Sequence, residues 1–447
     1  MYDAAVIGAG PAGYKTALKL ASAGKKVCLI EKSKDKIGGT CLNSGCIPVK
    51  SIIESAIIYE KMKKAHLFGI KCSLSPPEMA EITGAAIKNI SELKKGLNFL
   101  LKKSGVDIIY GKASFKNEKE LTVEGRPSVR AESIILCTGS APRVISSIDI
   151  DGKNIINSSH LLDIKRLPET ILLIGGGYIG LELACAFSSM GSKVTVIEKL
   201  PRILTDEDPA VTDALRRIMS RKGIEIICNT QVLSARTSGN KVNVKLKKEE
   251  EFFATFDKVI SAAGRAPSTE GLNLEKAGIE TQQNKITVDQ KMQTSTPGIY
   301  AAGDVNGRLM LAHTAYREAE IAAASLCGVS TPKIDYHTIP RVVFTSPQLA
   351  CIGLTPELAK KEGKEISEKK IFFRSNAKAL IKKESEGFIK ITCDKKSGAL
   401  LGVNILGPEA SELIHIFTPC IAGKLPLKEL KSLVYAHPTL SEIISEL

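Results

Sequence analysis

Shifted by 167 positions, the chain lies on itself. The apolar run Ala4-Ala5-Val6-Ile7 and the turn Gly8-Ala9-Gly10-Pro11-Ala12-Gly13 fall on Ile171-Leu172-Leu173-Ile174 and Gly175-Gly176-Gly177-Tyr178-Ile179-Gly180. The same offset carries Gly24 onto Gly191, Lys26 onto Lys193, Val27 onto Val194, Ile30 onto Ile197 and Glu31 onto Glu198. Each copy reads as strand, glycine turn, helix, second strand, acid. Strands joined through a helix pair in parallel and need both faces covered, so the duplication predicts an α/β fold with two Rossmann-like dinucleotide-binding domains.

A single G-x-G-x-x-G run is weak evidence, but here strand, helix and acid accompany it twice. Gly8 and Gly175 permit the tight turn, Gly10 and Gly177 let backbone approach a pyrophosphate, and Gly13 and Gly180 let helix and strand pack closely. Glu31 and Glu198, ending the second strands, are placed to accept hydrogen bonds from a ribose diol. Two such sites in one chain suggest one tightly held cofactor and one exchangeable one, with electrons passing between them. A carboxylate at Glu198 favours the free 2′-hydroxyl of NAD over the 2′-phosphate of NADP, with Arg202 close behind it.

Length and composition exclude several alternatives. The 447 residues suffice for about three domains at roughly 150 residues each, and 43% are hydrophobic. The apolar run Ile171–Leu181 is interrupted by Glu182 and by four glycines, short of the roughly 20 residues of a membrane span. Met1-Tyr2-Asp3 leads straight into a strand without a basic leader, so a cytoplasmic location is expected. Sixty-two Lys and Arg against forty-eight Asp and Glu give +14, but the lysines occur as short doublets along the chain and there is no Trp. A solvated surface is therefore expected rather than a nucleic-acid footprint. Eleven cysteines are an odd count, unlike a secreted disulfide scaffold, and Cys28, Cys137, Cys185 and Cys351 sit among apolar neighbours as core thiols.

Cys41 and Cys46 differ. They lie in Gly38-Gly39-Thr40-Cys41-Leu42-Asn43-Ser44-Gly45-Cys46-Ile47-Pro48-Val49-Lys50, at a spacing unlike zinc ligands and with no second pair elsewhere, so no metal site is expected. Five residues of regular helix advance about 7.5 Å, more than the usual disulfide Cα separation of about 4.4–6.8 Å, so bridging them needs a backbone break, for which Gly45 and Pro48 are available. In a reducing compartment such a pair is more often catalytic than structural.

With this segment the chain resembles the pyridine nucleotide-disulfide oxidoreductases over essentially its whole length. The resemblance extends to Cys137-Thr138-Gly139, Gly264-Arg265-Ala266-Pro267, Tyr300-Ala301-Ala302-Gly303-Asp304, Phe344-Thr345-Ser346-Pro347 and Ala436-His437-Pro438-Thr439-Leu440-Ser441-Glu442. It implies FAD on the first repeat, with Gly8, Gly10, Gly13 and Glu31 at its adenosine pyrophosphate end and Asp304 near its ribitol, and NAD on the second, at Gly175, Gly177, Gly180 and Glu198. Thr138, Gly139, Gly264, Arg265 and Ala312 belong to the implied cofactor-binding set. Cys41 is implied as the interchange thiol that meets substrate and Cys46 as the thiolate against the flavin, with Lys50 near flavin N5 and paired to Glu182. The finer motifs resemble members that oxidise protein-bound dihydrolipoyl groups to lipoyl with reduction of NAD. Val49 stands where those members usually carry serine, Tyr435 where a histidine commonly precedes Ala-His-Pro, and the chain ends five residues after Glu442.

Thiol–disulfide exchange needs a group that takes a proton near neutral pH, and imidazole suits that task. His437 has Glu442 five residues on to orient it, whereas His66, His160, His337 and His415 read as ordinary surface or core residues. The resemblance implies that His437 reaches Cys41 of the other subunit of a homodimer. Boundaries are expected at an FAD-binding domain 1–143, an NAD-binding domain 144–265, a central segment 266–334 completing the FAD domain, and a C-terminal α+β dimerisation domain 335–447. No lipoyl-type segment precedes Met1, so a lipoyl-carrying protein of a 2-oxo acid dehydrogenase or glycine-cleavage system is the expected partner. A glutathione-reducing relative is disfavoured by Glu198 and a mercuric-ion-reducing one by the lack of a closing cysteine pair, the last Cys being Cys420. An idle flavoprotein scaffold is disfavoured by the joint presence of Cys41, Cys46, His437 and Glu442.

Overall fold

A computed structural model describes all residues from Met1 to Leu447. The first repeat folds as expected for a buried parallel sheet: Tyr2–Ile7 pairs with Val27–Glu31 on one side and Val129–Leu136 on the other, and Asp107–Tyr110 and Ile299–Ala301 extend it. Helix α1 (Pro11–Ser22) crosses between the first two strands. It begins at Pro11, whose missing N–H costs nothing in a first turn, and buries Ala12, Gly13, Thr16, Ala17 and Leu20. Three further helices follow: α2 (Gly39–Asn43), α3 (Cys46–Lys63) and α4 (Met79–Lys103).

The second repeat builds a five-stranded parallel sheet from Ile155–Asn157, Thr170–Ile174, Lys193–Ile197, Glu225–Ile227 and Lys258–Ser261. Helices α5 (Tyr178–Met190) and α6 (Pro209–Arg221) belong to it, and an antiparallel meander, Gln231–Ser238, Lys241–Lys247 and Glu251–Phe256, adjoins it. The sequence offset survives in the register. Ala4 pairs with Val27, and 167 positions on Ile171 pairs with Val194. Ser140–Pro142 pairs with Arg265–Pro267 in a two-stranded crossing between the units. Beyond it the chain returns to the first sheet at Ile299–Ala301, and α7 (Ala312–Leu326) packs on α1.

The C-terminal unit is a five-stranded antiparallel sheet in the order Arg341–Val343, Gln348–Gly353, Leu400–Gly407, Phe388–Asp394, Ile366–Phe372, with Ala410–Gly423 packed on it. One hydrophobic core is shared rather than private. It joins Ile52 and Ile53 of α3, Leu181 and Phe187 of α5, and Leu349, Phe388 and Leu406 of the third sheet. Burial of such side chains at about 1.5–3 kcal/mol each holds the cysteine-bearing helix against both neighbouring units.

One helical stretch has the length and hydropathy of a span, and it is Gly39–Lys63 rather than the run Ile171–Leu181. It is two helices broken at Ser44 and Gly45, with Pro48, Val49, Ile52, Ile53 and Ala56 buried in the protein.

Candidate active site

The two glycine turns face one cleft of about 1760 Å³, larger than the roughly 300–1,000 Å³ of ordinary small-molecule pockets. Gly8, Gly10, Glu31, Cys41, Cys46, Lys50, Thr138, Gly139, Gly175, Gly177, Glu182, Glu198, Gly264, Arg265, Asp304 and Ala312 all line it. Gly13 and Gly180 do not, and the reason is local packing. A Cβ on Gly13 would stand 1.7 Å from the Gly8 carbonyl oxygen, and one on Gly180 1.9 Å from that of Gly175. Gly8 and Gly175 adopt φ of 96° and 114°, in the region favoured by glycine.

The acids close each turn alike. Ala9 N–H donates to Glu31 Oε2 at 2.8 Å, and Gly176 N–H donates to Glu198 Oε2 at 2.7 Å. Leu200 N–H donates to the other Glu198 oxygen at 2.8 Å. Burial pushes the Glu31 carboxyl above its ordinary range, with the Ala9 N–H opposing that rise. Neither α1 nor α5 carries a side-chain N-cap. Their first N–H groups therefore remain free to bind anionic oxygen, and Gly177 has open space where a Cβ would be. Two dinucleotides of pyrophosphate chemistry fit these paired cradles.

The cysteines sit where the helix breaks. Ser44 ends α2, Gly45 precedes α3, and Cys46 is the first residue of α3. A Cβ on Gly45 would meet the Thr40 carbonyl oxygen at 3.0 Å, so the close fold-back of the two cysteines suits glycine there. Pro48 lies in the first turn of α3, where a missing N–H is tolerated. Both thiols are free, and they lie close enough for each to shift the other's ionisation. The neighbouring Cys41 thiol holds the Cys46 thiol down at about 7 against the opposing effect of burial, with the Lys50 charge assisting. The Cys46 thiol, together with burial, pushes the Cys41 thiol well up.

Lys50, one turn along α3, donates to Glu182 Oε2 at 2.7 Å, and its ammonium lies 4.7 Å from the centre of the Phe344 ring. The other Glu182 oxygen accepts from Phe344 N–H at 3.1 Å, so this carboxylate, buried to 3% exposure, is fully partnered. At the floor of the cleft Arg265 donates to the Ser140 hydroxyl at 2.7 Å and to the Ser140 carbonyl at 2.6 Å, while the Ser140 hydroxyl donates to Asp304. Thr138 donates to Ser268 O at 2.6 Å.

The shifted sequence pattern does not reveal Ser140, which links Arg265 to Asp304. Nor does it reveal Glu318, buried in α7, which accepts from Gly303 N–H and from Asn306 and so fixes the turn carrying Asp304. Its signal is an acid within an alanine-rich helix. Two further groups are missed: Tyr14 and Tyr316, whose hydroxyls lie 2.6 Å apart between α1 and α7, and Tyr178, whose hydroxyl donates to Glu207 at 2.7 Å. Glu207 is also held by both ends of Arg341, at 2.6 and 2.9 Å. His313, beside Ala312, contacts Pro340 O at 2.8 Å, and burial pushes its pKa down.

His437 and Glu442 stand apart from this cleft. Their Nδ1 and Oε2 atoms are 2.8 Å apart, and His437 is 75% exposed, so the pair touches but does not line the cleft of its own chain. Tyr435 bonds Leu430 O, and Leu447 is buried in the C-terminal core.

Residues 2–319 match the sequence profile of the pyridine nucleotide-disulphide oxidoreductases, and residues 339–447 match that of their dimerisation domain. The chain belongs to the pyridine nucleotide-disulphide oxidoreductases. It therefore has the family's α/β architecture with a C-terminal dimerisation unit, and the protein is a homodimer. The chain is 36% identical to a dihydrolipoyl dehydrogenase of Bacillus subtilis strain 168, across 99% of this chain and 97% of that protein. It is 35% identical to the mitochondrial dihydrolipoyl dehydrogenase of Pisum sativum, across 99% and 90%, and to the leghemoglobin reductase of Vigna unguiculata, across 99% and 86%. Among solved structures it is similar to the HOCl-induced flavoprotein disulfide reductase RclA of Escherichia coli, with 30% identity, 100% and 99% coverage and a TM-score of 0.90.

Proposed function

We propose that the chain oxidises dihydrolipoyl groups carried by another protein to lipoyl, with reduction of NAD, in the cytoplasm. The observation that carries this reading is the pair of neighbouring free thiols, Cys41 and Cys46, in the wall of a cleft that also receives both dinucleotide turns. Full-length similarity to proteins named dihydrolipoyl dehydrogenase supports the substrate class.

Gly8, Gly10 and Glu31 would hold FAD, with Thr138, Gly139, Arg265, Asp304 and Ala312 along it, while Gly175, Gly177, Glu198 and Gly264 would hold NAD; Gly13 and Gly180 let each helix pack against its turn. Once bound, these groups supply an acceptor for two electrons and carry them away as hydride. The chain's own residues perform the thiol chemistry. In the oxidised protein Cys41 and Cys46 share a disulfide. His437 of the other subunit, oriented by Glu442, takes a proton from the incoming dithiol. The resulting thiolate attacks the Cys41 sulfur, forming a mixed disulfide and releasing Cys46 as thiolate. The second substrate thiol then attacks the substrate sulfur of that mixed disulfide, closing the lipoyl ring and releasing Cys41. Lys50 stabilises the Cys46 thiolate and is itself held by Glu182. The crossing strands support boundaries near 143 and 265, and the return of Ile299–Ala301 to the first sheet supports a segment 266–334 that completes the FAD-binding domain.

Anaerobic titration of the purified holoprotein with dihydrolipoamide tests the reading. Spectral reduction that NAD reverses and NADP does not is the expected result. Absence of reduction by dihydrolipoamide, with rapid reduction by NADPH, overturns it in favour of a glutathione-reductase-like activity.

A further inference from the structure

The positive charge is not spread along the chain. Residues 1–143 contain 23 Lys and Arg against 13 Asp and Glu, a net of +10, whereas the rest of the chain contains 39 against 35. This corrects the expectation of an even, solvated distribution. Several of these cations are accounted for by partners, such as Lys15 with Glu320, Lys50 with Glu182, Lys64 with Glu60 and Lys116 with Glu120. Lys32, Lys34, Lys36 and Lys95 are not: all four are exposed and none makes an ion pair.

These lysines form a strip beside the cysteine helix. Asn43 of α2 donates to the carbonyls of Lys36 and Ile37, fastening the lysine segment to the helix that bears Cys41. Lys94 of α4 donates to Asp35 O at 2.9 Å, which brings this part of α4, with the exposed Lys95 next along it, to the same segment. Lys32 and Lys36 share the cleft lining with Cys41. Within 31–36 and 92–95 the acids are Glu31, Asp35 and Glu92, and Glu31 is buried and occupied by Ala9 N–H.

We propose that this strip is the docking surface for an acidic lipoyl-carrying protein, an inference that rests on the function proposed above. A dihydrolipoyl group on a small amide is uncharged and gains nothing from the lysines. A carrier protein with acidic surface gains steering over about a Debye length, roughly 8 Å at physiological salt. Such steering raises association rates by about 10- to 1,000-fold. The strip contains neither arginine nor an aromatic side chain, which disfavours nucleic acid as its occupant.

The test measures steady-state oxidation of two substrates by the holoenzyme: free dihydrolipoamide, and a dihydrolipoylated carrier domain of net negative charge. Lys34→Glu/Lys95→Glu is compared with Lys395→Glu/Lys396→Glu, which changes the same total charge on an exposed turn of the third unit. The first variant is expected to lose roughly tenfold in kcat/KM for the carrier at low salt, with the loss vanishing in high salt and free dihydrolipoamide unaffected. The second variant is expected to leave both substrates unchanged. Equal losses in the two variants, no loss in the first, or a loss shared by free dihydrolipoamide overturns the docking surface. Transfer of the effect to binding of duplex DNA or phosphatidylglycerol vesicles, with the carrier unaffected, also overturns it. If wild-type enzyme oxidises neither substrate, the functional reading itself fails.

Discussion

Lys50 Nζ lies 2.7 Å from Glu182 Oε2, joining the helix that starts at Cys46 to the helix that starts at the second glycine turn. The two charges act on Cys46 with opposite sign: Lys50 lowers its pKa and Glu182 raises it, beneath the larger lowering by the neighbouring Cys41 thiol. In the reduced protein, thiolate ultraviolet absorbance from Cys46 should develop with a midpoint at about 7. Lys50→Met should move that midpoint up, because a favourable cation is lost. Glu182→Gln should move it down. Midpoints that move in the same direction in both variants would sink this account of the thiolate.

The duplicated acids allow the two cofactor sites to be separated. Glu31 and Glu198 each accept a turn N–H, and neither lies within the other's unit. Glu31→Ala should yield protein that loses flavin on gel filtration. Glu198→Ala should retain flavin and weaken NAD by roughly tenfold, about 1.4 kcal/mol for a lost ribose hydrogen-bond acceptor. Flavin absorbance after purification and NAD binding by calorimetry read the two effects independently.

Close packing at the second turn makes a sharper prediction. A methyl group at position 180 would meet the Gly175 carbonyl oxygen at 1.9 Å, so Gly180→Ala must push α5 away from Thr170–Ile174. Overpacking of this kind typically costs about 1–3 kcal/mol. Differential scanning calorimetry should show a lower midpoint for Gly180→Ala, with NAD affinity reduced as well. Gly177→Ala, where a Cβ has open space, should leave the midpoint nearly unchanged while still impeding NAD.

The glycine turns, strands and acids were legible because each is a local pattern repeated at one offset, and the register Ala4 with Val27 and Ile171 with Val194 follows from it. Cys41 and Cys46 were legible as a pair because Gly45 marks the break between them, whereas Pro48, which also offered a break, sits within the first turn of α3. Ser140 was not, since a serine after Thr138-Gly139 acquires its role only when Ser140–Pro142 pairs with Arg265–Pro267, across more than a hundred residues. Glu207 and Arg341 were invisible for the same reason, being brought together by the seam between the second unit and the third. The lysine strip was not legible for a different reason: its members are separated in sequence, and Lys94 meets Asp35 only through the packing of α4.

The exposed His437–Glu442 pair leads to the last prediction. Each chain brings its cysteines to the cleft, yet His437 stands 75% exposed outside that cleft, 2.8 Å from Glu442. If the base is supplied across the dimer, Cys41→Ser and His437→Gln homodimers should both be nearly inactive toward dihydrolipoamide. The histidine variant should lose about 10²–10⁴-fold, the usual range for a removed general base. A heterodimer formed by dissociating and reassembling the two variants has one site in which an intact Cys41 faces an intact His437, and one with neither. It should recover roughly half the wild-type turnover per dimer. A base acting within its own chain leaves both sites of that heterodimer broken, so failure to recover activity in verified heterodimers would place His437 in cis or outside the reaction. NADH oxidation with an artificial acceptor, which needs neither residue as a base, should persist in all three species and confirm that the proteins are folded.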